Sequence, residues 1–144
     1  MKLLISACLL GERCRYDGKS KPLPGEILRR LREQHTLIPV CPEQAGGLPT
    51  PRAPSERRGV KVVSNQGRDV TREYEAGAAF ALALAKKERV DAALLKARSP
   101  SCGKGEIYDG TFSRTLIPGS GVTAELLEQN GIPVYTEEEI ETLI

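Results

Sequence analysis

The chain has 144 residues, 40% of them hydrophobic, which suits one domain with an enclosed core and room for a site. Its 21 basic and 19 acidic residues leave a formal charge of +2, without the overall electrostatic footprint of a nucleic-acid binder, and so point to a small partner. The opening apolar run, MKLLISACLL, is far too short to span a membrane, and GERCRYDG after it does not resemble a signal cleavage site, so a cytoplasmic protein is expected.

In chain order, KLLISA (2–7) reads as a first buried strand. PGEILRRLREQ, from Pro24, opens with Pro and Glu and places Ile27, Leu28 and Leu31 on one face, so it predicts a helix. TLIPVC reads as a second strand ending at Cys41, with Pro39 arguing for an edge position or a local irregularity. CPEQAGGLPTPRAP carries prolines and glycines that argue against any regular element, and reads as a shaped loop. GVKVVSNQGRDVT predicts a hairpin turning at NQG. REYEAGAAFALALAKKER is the strongest helical stretch, with Glu73 and Glu75 in its first turn and Lys86, Lys87 and Arg89 in its last. DAALLKA follows as a strand, GVTAELLEQNG as a helix closed by Gly131, IPVYT as a strand and EEEIETLI as a terminal helix. This alternation predicts an α/β fold over residues 1–144: a single Rossmann-like three-layer domain with a mostly parallel sheet and cysteines at the C-terminal ends of strands.

In a reducing compartment the four cysteines, Cys8, Cys14, Cys41 and Cys102, do not read as a disulfide framework, so thiol chemistry or metal ligation gains weight. Cys8, Cys41 and Cys102 each follow a predicted strand, and open parallel sheets bind ligands outside the carboxyl ends of their strands. Their spacing matches no local zinc or ferredoxin pattern, so only the topology argues that they meet. Cys14, in the loop after Cys8, could be a fourth ligand, a spare thiol or simple filling. Three ligands would leave a metal position open for substrate, whereas four would close it.

The neighbours of the thiols offer further chemistry. Glu43 stands two positions beyond Cys41 and could be a general base, or only a solvated loop carboxylate. In SPSCGKG, Ser99 and Ser101 could hold water or substrate, or simply cap the turn. Gly103 and Gly105 could offer backbone N–H groups to an anion, or serve as turn glycines. The stretch from Arg52 to Arg72 is rich in arginine, and Arg15 and Lys104 flank the cysteine loops, which suits an anionic group such as a phosphate or a solvated charged rim. YDG occurs twice, where Asp17 and Asp109 could meet a ligand, or make Asp-Gly turns. The single histidine, His35, is given no catalytic role.

SACLLGERCRYDG, CPEQAGGLPTPRAP, GRDVTREYEAGA, LLKARSPSCG and IYDGTF, in this order, resemble the TudS-like thiouracil desulfidases from about residue 4 to about residue 135. The resemblance implies a 4Fe-4S cluster held by three cysteines, Cys8, Cys41 and Cys102, with Cys14 outside the ligand set. It implies a non-redox hydrolysis of a thiolated uracil to uracil and hydrogen sulfide, with Glu43 as catalytic acid-base residue and Ser101 as catalytic serine, Ser99 being the alternative. Arg15, Asp17, Arg52 and Lys104 are the candidates for the rest of the substrate. Some relatives carry a further domain, and this chain stops at Ile144, so 4-thiouridine 5′-monophosphate is expected as substrate rather than tRNA. Two other classes compete: a zinc-binding structural or interaction module using all four cysteines, and a metal-free thiol enzyme. The second lacks both a CxxC motif and a convincing Cys-His partner.

Overall fold

A computed structural model describes residues 1–144. In chain order its elements are β1 (Lys2–Ser6), a 3-10 turn (Ala7–Leu10), α1 (Gly25–Gln34), β2 (Thr36–Val40), α2 (Pro42–Ala45), β3 (Ser55–Arg58) and β4 (Lys61–Ser64). Then follow α3 (Thr71–Glu88), β5 (Ala92–Leu95), β6 (Glu106–Tyr108), β7 (Leu116–Pro118), α4 (Val122–Gln129), β8 (Val134–Thr136) and a closing 3-10 turn (Glu137–Thr142).

The central sheet is parallel and runs β2-β1-β5-β8. Alternate residues of a strand face opposite sides, and the core divides accordingly. Leu3, Ile5 and Leu94 pack towards Leu31 of α1 and Leu23, while Leu4, Ala93 and Leu95 pack towards Ala81 and Ala85 of α3 and Leu127 of α4. Helices therefore cover both faces, and the predicted α/β arrangement with a mostly parallel sheet is borne out. Pro39 sits on β2, an edge strand, where its missing N–H costs no interior ladder bond. From β1 the chain goes out to β2 on one side and returns to β5 on the other. That reversal opens a crevice beyond the carboxyl ends of β1 and β5.

Three expectations are corrected, and one further element is added. Pro42 starts the short helix α2 within CPEQAGGLPTPRAP, because a first-turn position needs no N–H donor, and Gly46 and Gly47 end it, Gly47 at φ +96°. The hairpin pairs β3 with β4 around Gly59, not two runs around NQG, where a single isolated bridge joins Val63 to Asp69. SERR in β3 carries no apolar residue, so its strand character comes only from pairing with KVVS. The β6-β7 hairpin was not anticipated from the sequence; it encloses the loop 109–115. EEEIETLI forms a 3-10 turn capped by Thr136 and Glu139, with a kink at Glu139, rather than a regular terminal helix.

α2 lies almost backbone to backbone against α3. A Cβ on Gly46 would fall 1.9 Å from the Glu73 carbonyl oxygen, and one on Gly77 would fall 1.9 Å from that of Pro42. These two glycines let α2, and the residues on either side of its start, sit directly on the longest helix.

Candidate active site at the strand ends

A cavity of about 590 Å³ opens beyond the carboxyl ends of the sheet, and all four cysteines line it. β1 delivers Cys8 through the 3-10 turn after Ser6, β2 delivers Cys41 immediately after Val40, and β5 delivers Cys102 through the loop that follows Leu95. All four thiols are free, and Cys8, Cys14 and Cys102 are buried. Cys14, which the resemblance leaves outside the ligand set, stands beside the thiols of both Cys8 and Cys41. The Cys41 thiol also approaches the Cys14 carbonyl oxygen at 3.7 Å.

The surrounding protein pushes the thiols of Cys14, Cys41 and Cys102 upward. Contact with the Cys41 sulfur pulls the Cys14 thiol down, but contact with Cys8, together with burial, pushes it up to about 11. Cys41 is raised by its contact with Cys14 and then by burial. Burial pushes Cys102 up to about 12 against the opposing hydroxyl of Ser6. Thiols of this kind are poor nucleophiles, which argues against the metal-free thiol enzyme. A bound cation reverses the balance by favouring thiolate.

Thiols gathered on one cavity, most of them buried, are the soft donors that an iron-sulfur cluster takes.

Glu43 projects from the first turn of α2 and is gripped by Arg52. Nε and Nη2 of the guanidinium donate to Oε2 at 2.9 and 2.7 Å. The other donors of Arg52 reach the carbonyls of Pro49 and Cys14 and the hydroxyl of Thr50, at 2.9–3.1 Å. All five N–H groups of Arg52 are thus engaged by the protein. Arg52 thereby ties α2, the 49–50 loop and the Cys14 loop together around one carboxylate. Tyr74 of α3 lies against the same carboxylate, and its hydroxyl is raised by burial and by that negative charge.

The two candidate serines are placed very differently. Ser101 is fully buried, and its hydroxyl pairs with Thr123 at 2.8 Å behind the cavity wall. Ser99 lines the cavity, and its Oγ accepts the backbone N–H groups of Ser101 and Cys102 at 3.1 and 3.0 Å, leaving its own proton free to be donated. Arg15 reaches the cavity and pairs with Asp17 at 3.7 Å, while Asp17 itself stays outside. Lys104 points into a second, smaller hollow, where it pairs with Glu139 at 3.4 Å. Neither Asp17 nor Lys104 is brought to the thiols. Asp109 is used in its own turn, accepting from the backbone and hydroxyl of Thr111.

The sequence profile of the 2-thiouracil desulfurase family matches residues 3–139. The chain belongs to that family. It is 43% identical over 152 residues to the uncharacterized protein YbbK of Bacillus subtilis (strain 168), with 99% of each chain covered. It is also similar, at 46% identity and a TM-score of 0.94, to the solved structure of a 4Fe-4S-dependent thiouracil desulfidase, TudS. That match covers 99% of this chain and 94% of the other. The family resemblance carried by the five motifs is borne out.

Sequence reasoning on this family member missed several residues of the cavity. Ser6, at the end of β1, accepts the backbone N–H of Lys96 at 2.9 Å and so couples β1 to the segment leading to Cys102. Its position beside a strand-end cysteine was a usable signal. Glu56 and Tyr74 also line the cavity, as do Phe112 and Arg114. Only tertiary packing brings these four to it, since none lies near a cysteine in the sequence.

Proposed function

We propose that this family member hydrolyses a thiolated uracil compound, with 4-thiouridine 5′-monophosphate preferred over the free base, to the uracil compound and hydrogen sulfide with the aid of a 4Fe-4S cluster. The observation that carries this reading is the convergence, on one cavity at the sheet's switch point, of buried thiols and a carboxylate locked by an arginine. The likeness to the TudS structure supports the same cofactor and substrate class.

Cys8, Cys41 and Cys102 would hold the cluster. Bound there, it supplies an iron with an open coordination position, a Lewis acid suited to a soft thiocarbonyl sulfur. The remaining steps belong to side chains of the protein. With both guanidinium bonds on Oε2, Oε1 of Glu43 stays outside the arginine's grip and can accept a proton from water. Ser99 holds the attacking water by donating its free hydroxyl proton. That water adds its oxygen to the thiocarbonyl carbon, the C–S bond breaks as the new C=O bond forms, and both protons of the water end on the sulfur, one by way of Glu43, so that it leaves as hydrogen sulfide. Electrons balance without a donor, since water replaces sulfur at unchanged carbon oxidation state. Arg52 keeps Glu43 aimed, and the buried Tyr74 lies against the same carboxylate.

The test is iron and sulfide analysis of anaerobically prepared protein, together with sulfide release from 4-thiouridine 5′-monophosphate. Replacing Cys8, Cys41 or Cys102 by Ala should abolish iron binding, whereas Cys14→Ala should keep most of it. Glu43→Gln should retain iron and lose turnover. A protein that binds zinc but no iron and sulfide, or a Glu43→Gln variant of near-wild-type rate, would overturn the reading.

A further inference from the structure

The loop 109–115, between β6 and β7, lies far from the cysteines in sequence, yet it contributes Phe112 and Arg114 to the cavity they line. Both residues adopt left-handed backbone, at φ 59° and 60°. For non-glycine side chains, and for an aromatic in particular, that conformation is costly and persists only where the surroundings impose it.

The surroundings do impose it. Glu56 of β3 is buried, and its Oε1 accepts the backbone N–H groups of Gly110 and Phe112 at 3.0 and 3.1 Å. Arg58, two residues along the same strand, donates from Nε to the Gly110 carbonyl at 2.7 Å. Gly110, at φ +94°, leaves no room for a Cβ, which would fall 2.3 Å from the Arg58 side chain. A chain of hydroxyl contacts, Thr111 to Ser113 at 2.6 Å and Ser113 to Thr115 at 2.8 Å, stiffens the outer side of the loop. The β3-β4 hairpin thus acts as a bracket that fixes the direction of two side chains on another hairpin.

Among the cations of the cavity wall, Arg15, Arg52, Lys96 and Arg98 are each drawn into an ion pair with a carboxylate, whereas Lys21 and Arg114 take part in none. Of these two, Arg114 alone carries the planar guanidinium that matches a phosphate. Phe112 offers an aromatic face, and aromatic stacking on a nucleobase is sequence-tolerant and energetically useful. A free guanidinium grips a phosphate bidentately.

We propose that the 109–115 loop is the nucleotide-reading element of this enzyme: Phe112 stacks on the pyrimidine ring and Arg114 holds the 5′-phosphate, with Glu56 as the positioning residue behind them. The proposal rests on the desulfidase reading for the identity of the ring and extends it to the residues that select the nucleotide. It moves the phosphate site away from Arg52 and Lys104 to a residue that the protein leaves unpaired.

The experiment measures binding of uridine 5′-monophosphate and of uridine to the anaerobically prepared protein by titration calorimetry, alongside sulfide release from 4-thiouridine 5′-monophosphate and from 4-thiouracil. The wild-type protein should bind the monophosphate at least about tenfold more tightly than uridine, the scale of one charge-assisted contact. Arg114→Gln should erase that preference, raise KM for the thionucleotide and leave 4-thiouracil turnover and iron content unchanged. Phe112→Ala should weaken both uridine and its monophosphate by about tenfold or more, since stacking does not depend on the phosphate. Glu56→Ala should weaken the monophosphate, and Glu56→Gln, whose amide oxygen can still accept both N–H groups, should restore it. If Glu56→Ala does not fold, the exposed Arg114 decides the matter alone. Equal affinity for uridine and its monophosphate, or an Arg114→Gln variant that keeps the difference, overturns the proposal. A wild-type protein that releases no sulfide overturns the desulfidase reading instead, and the calorimetry still reports on the loop.

Discussion

Removing the Arg52 side chain is the sharpest probe of how the site is built. The Arg52 and Glu43 side chains are only 7% and 15% exposed, so water can do little to replace one partner for the other. Arg52→Ala strips two charge-assisted bonds from Glu43 and leaves the carbonyls of Pro49 and Cys14 and the Thr50 hydroxyl without this donor. Breaking a buried pair on one side costs about 3–5 kcal/mol, because the remaining charge stays buried without its partner. For a domain of this size, with roughly 3–4 °C of melting temperature per kcal/mol, the expected fall is about 10–20 °C. Arg52→Lys keeps the charge, but its three donors cannot span a carboxylate, two carbonyls and a hydroxyl, so its loss should be intermediate. Thermal unfolding of the anaerobic protein measures the stability, and sulfide release measures the chemistry. Because Glu43 loses its orientation, kcat should fall on the free base and on the nucleotide alike. The reasoning fails if Arg52→Lys melts with the wild type and raises only the KM for the nucleotide, for that is the behaviour of a phosphate-binding arginine.

Two further predictions follow from packing around the thiols. Gly77→Ala inserts a Cβ 1.9 Å from the Pro42 carbonyl oxygen, so α2 must move by more than 1 Å to reach a contact distance of about 3.4 Å. A fall of about 1–3 kcal/mol in stability is expected, with lower iron content because Cys41 begins that helix; Gly25→Ala, with nothing within 4 Å, is the control and should leave iron content unchanged. Ser99→Ala should reduce kcat at nearly constant iron content, whereas Ser101→Ala, which orphans the buried Thr123 hydroxyl, should lower the melting temperature by several degrees with kcat preserved in the folded fraction. Thermal melts and single-turnover sulfide release distinguish the two serines.

The sequence by itself determined the parts governed by local periodicity and by chain order. Buried runs such as KLLIS and AALL, the alanine-rich α3 and the alternation between them specify a parallel sheet covered on both faces, because each pattern can bury its apolar side chains in only one kind of element. Strand-end cysteines were legible for the same reason, since a parallel order places carboxyl ends together. Proximity that depends on a crossing between elements was not legible. The grip of Arg52 on Glu43, the division of labour between Ser99 and Ser101, and the arrival of Tyr74 at the carboxylate all arise where loops fold over one another. SERR looks like a charged surface until Glu56 turns inward to hold Gly110 and Phe112. A charged side chain has no periodic signature that separates a solvated role from a buried one; only the donors that surround it in the folded chain decide which it takes.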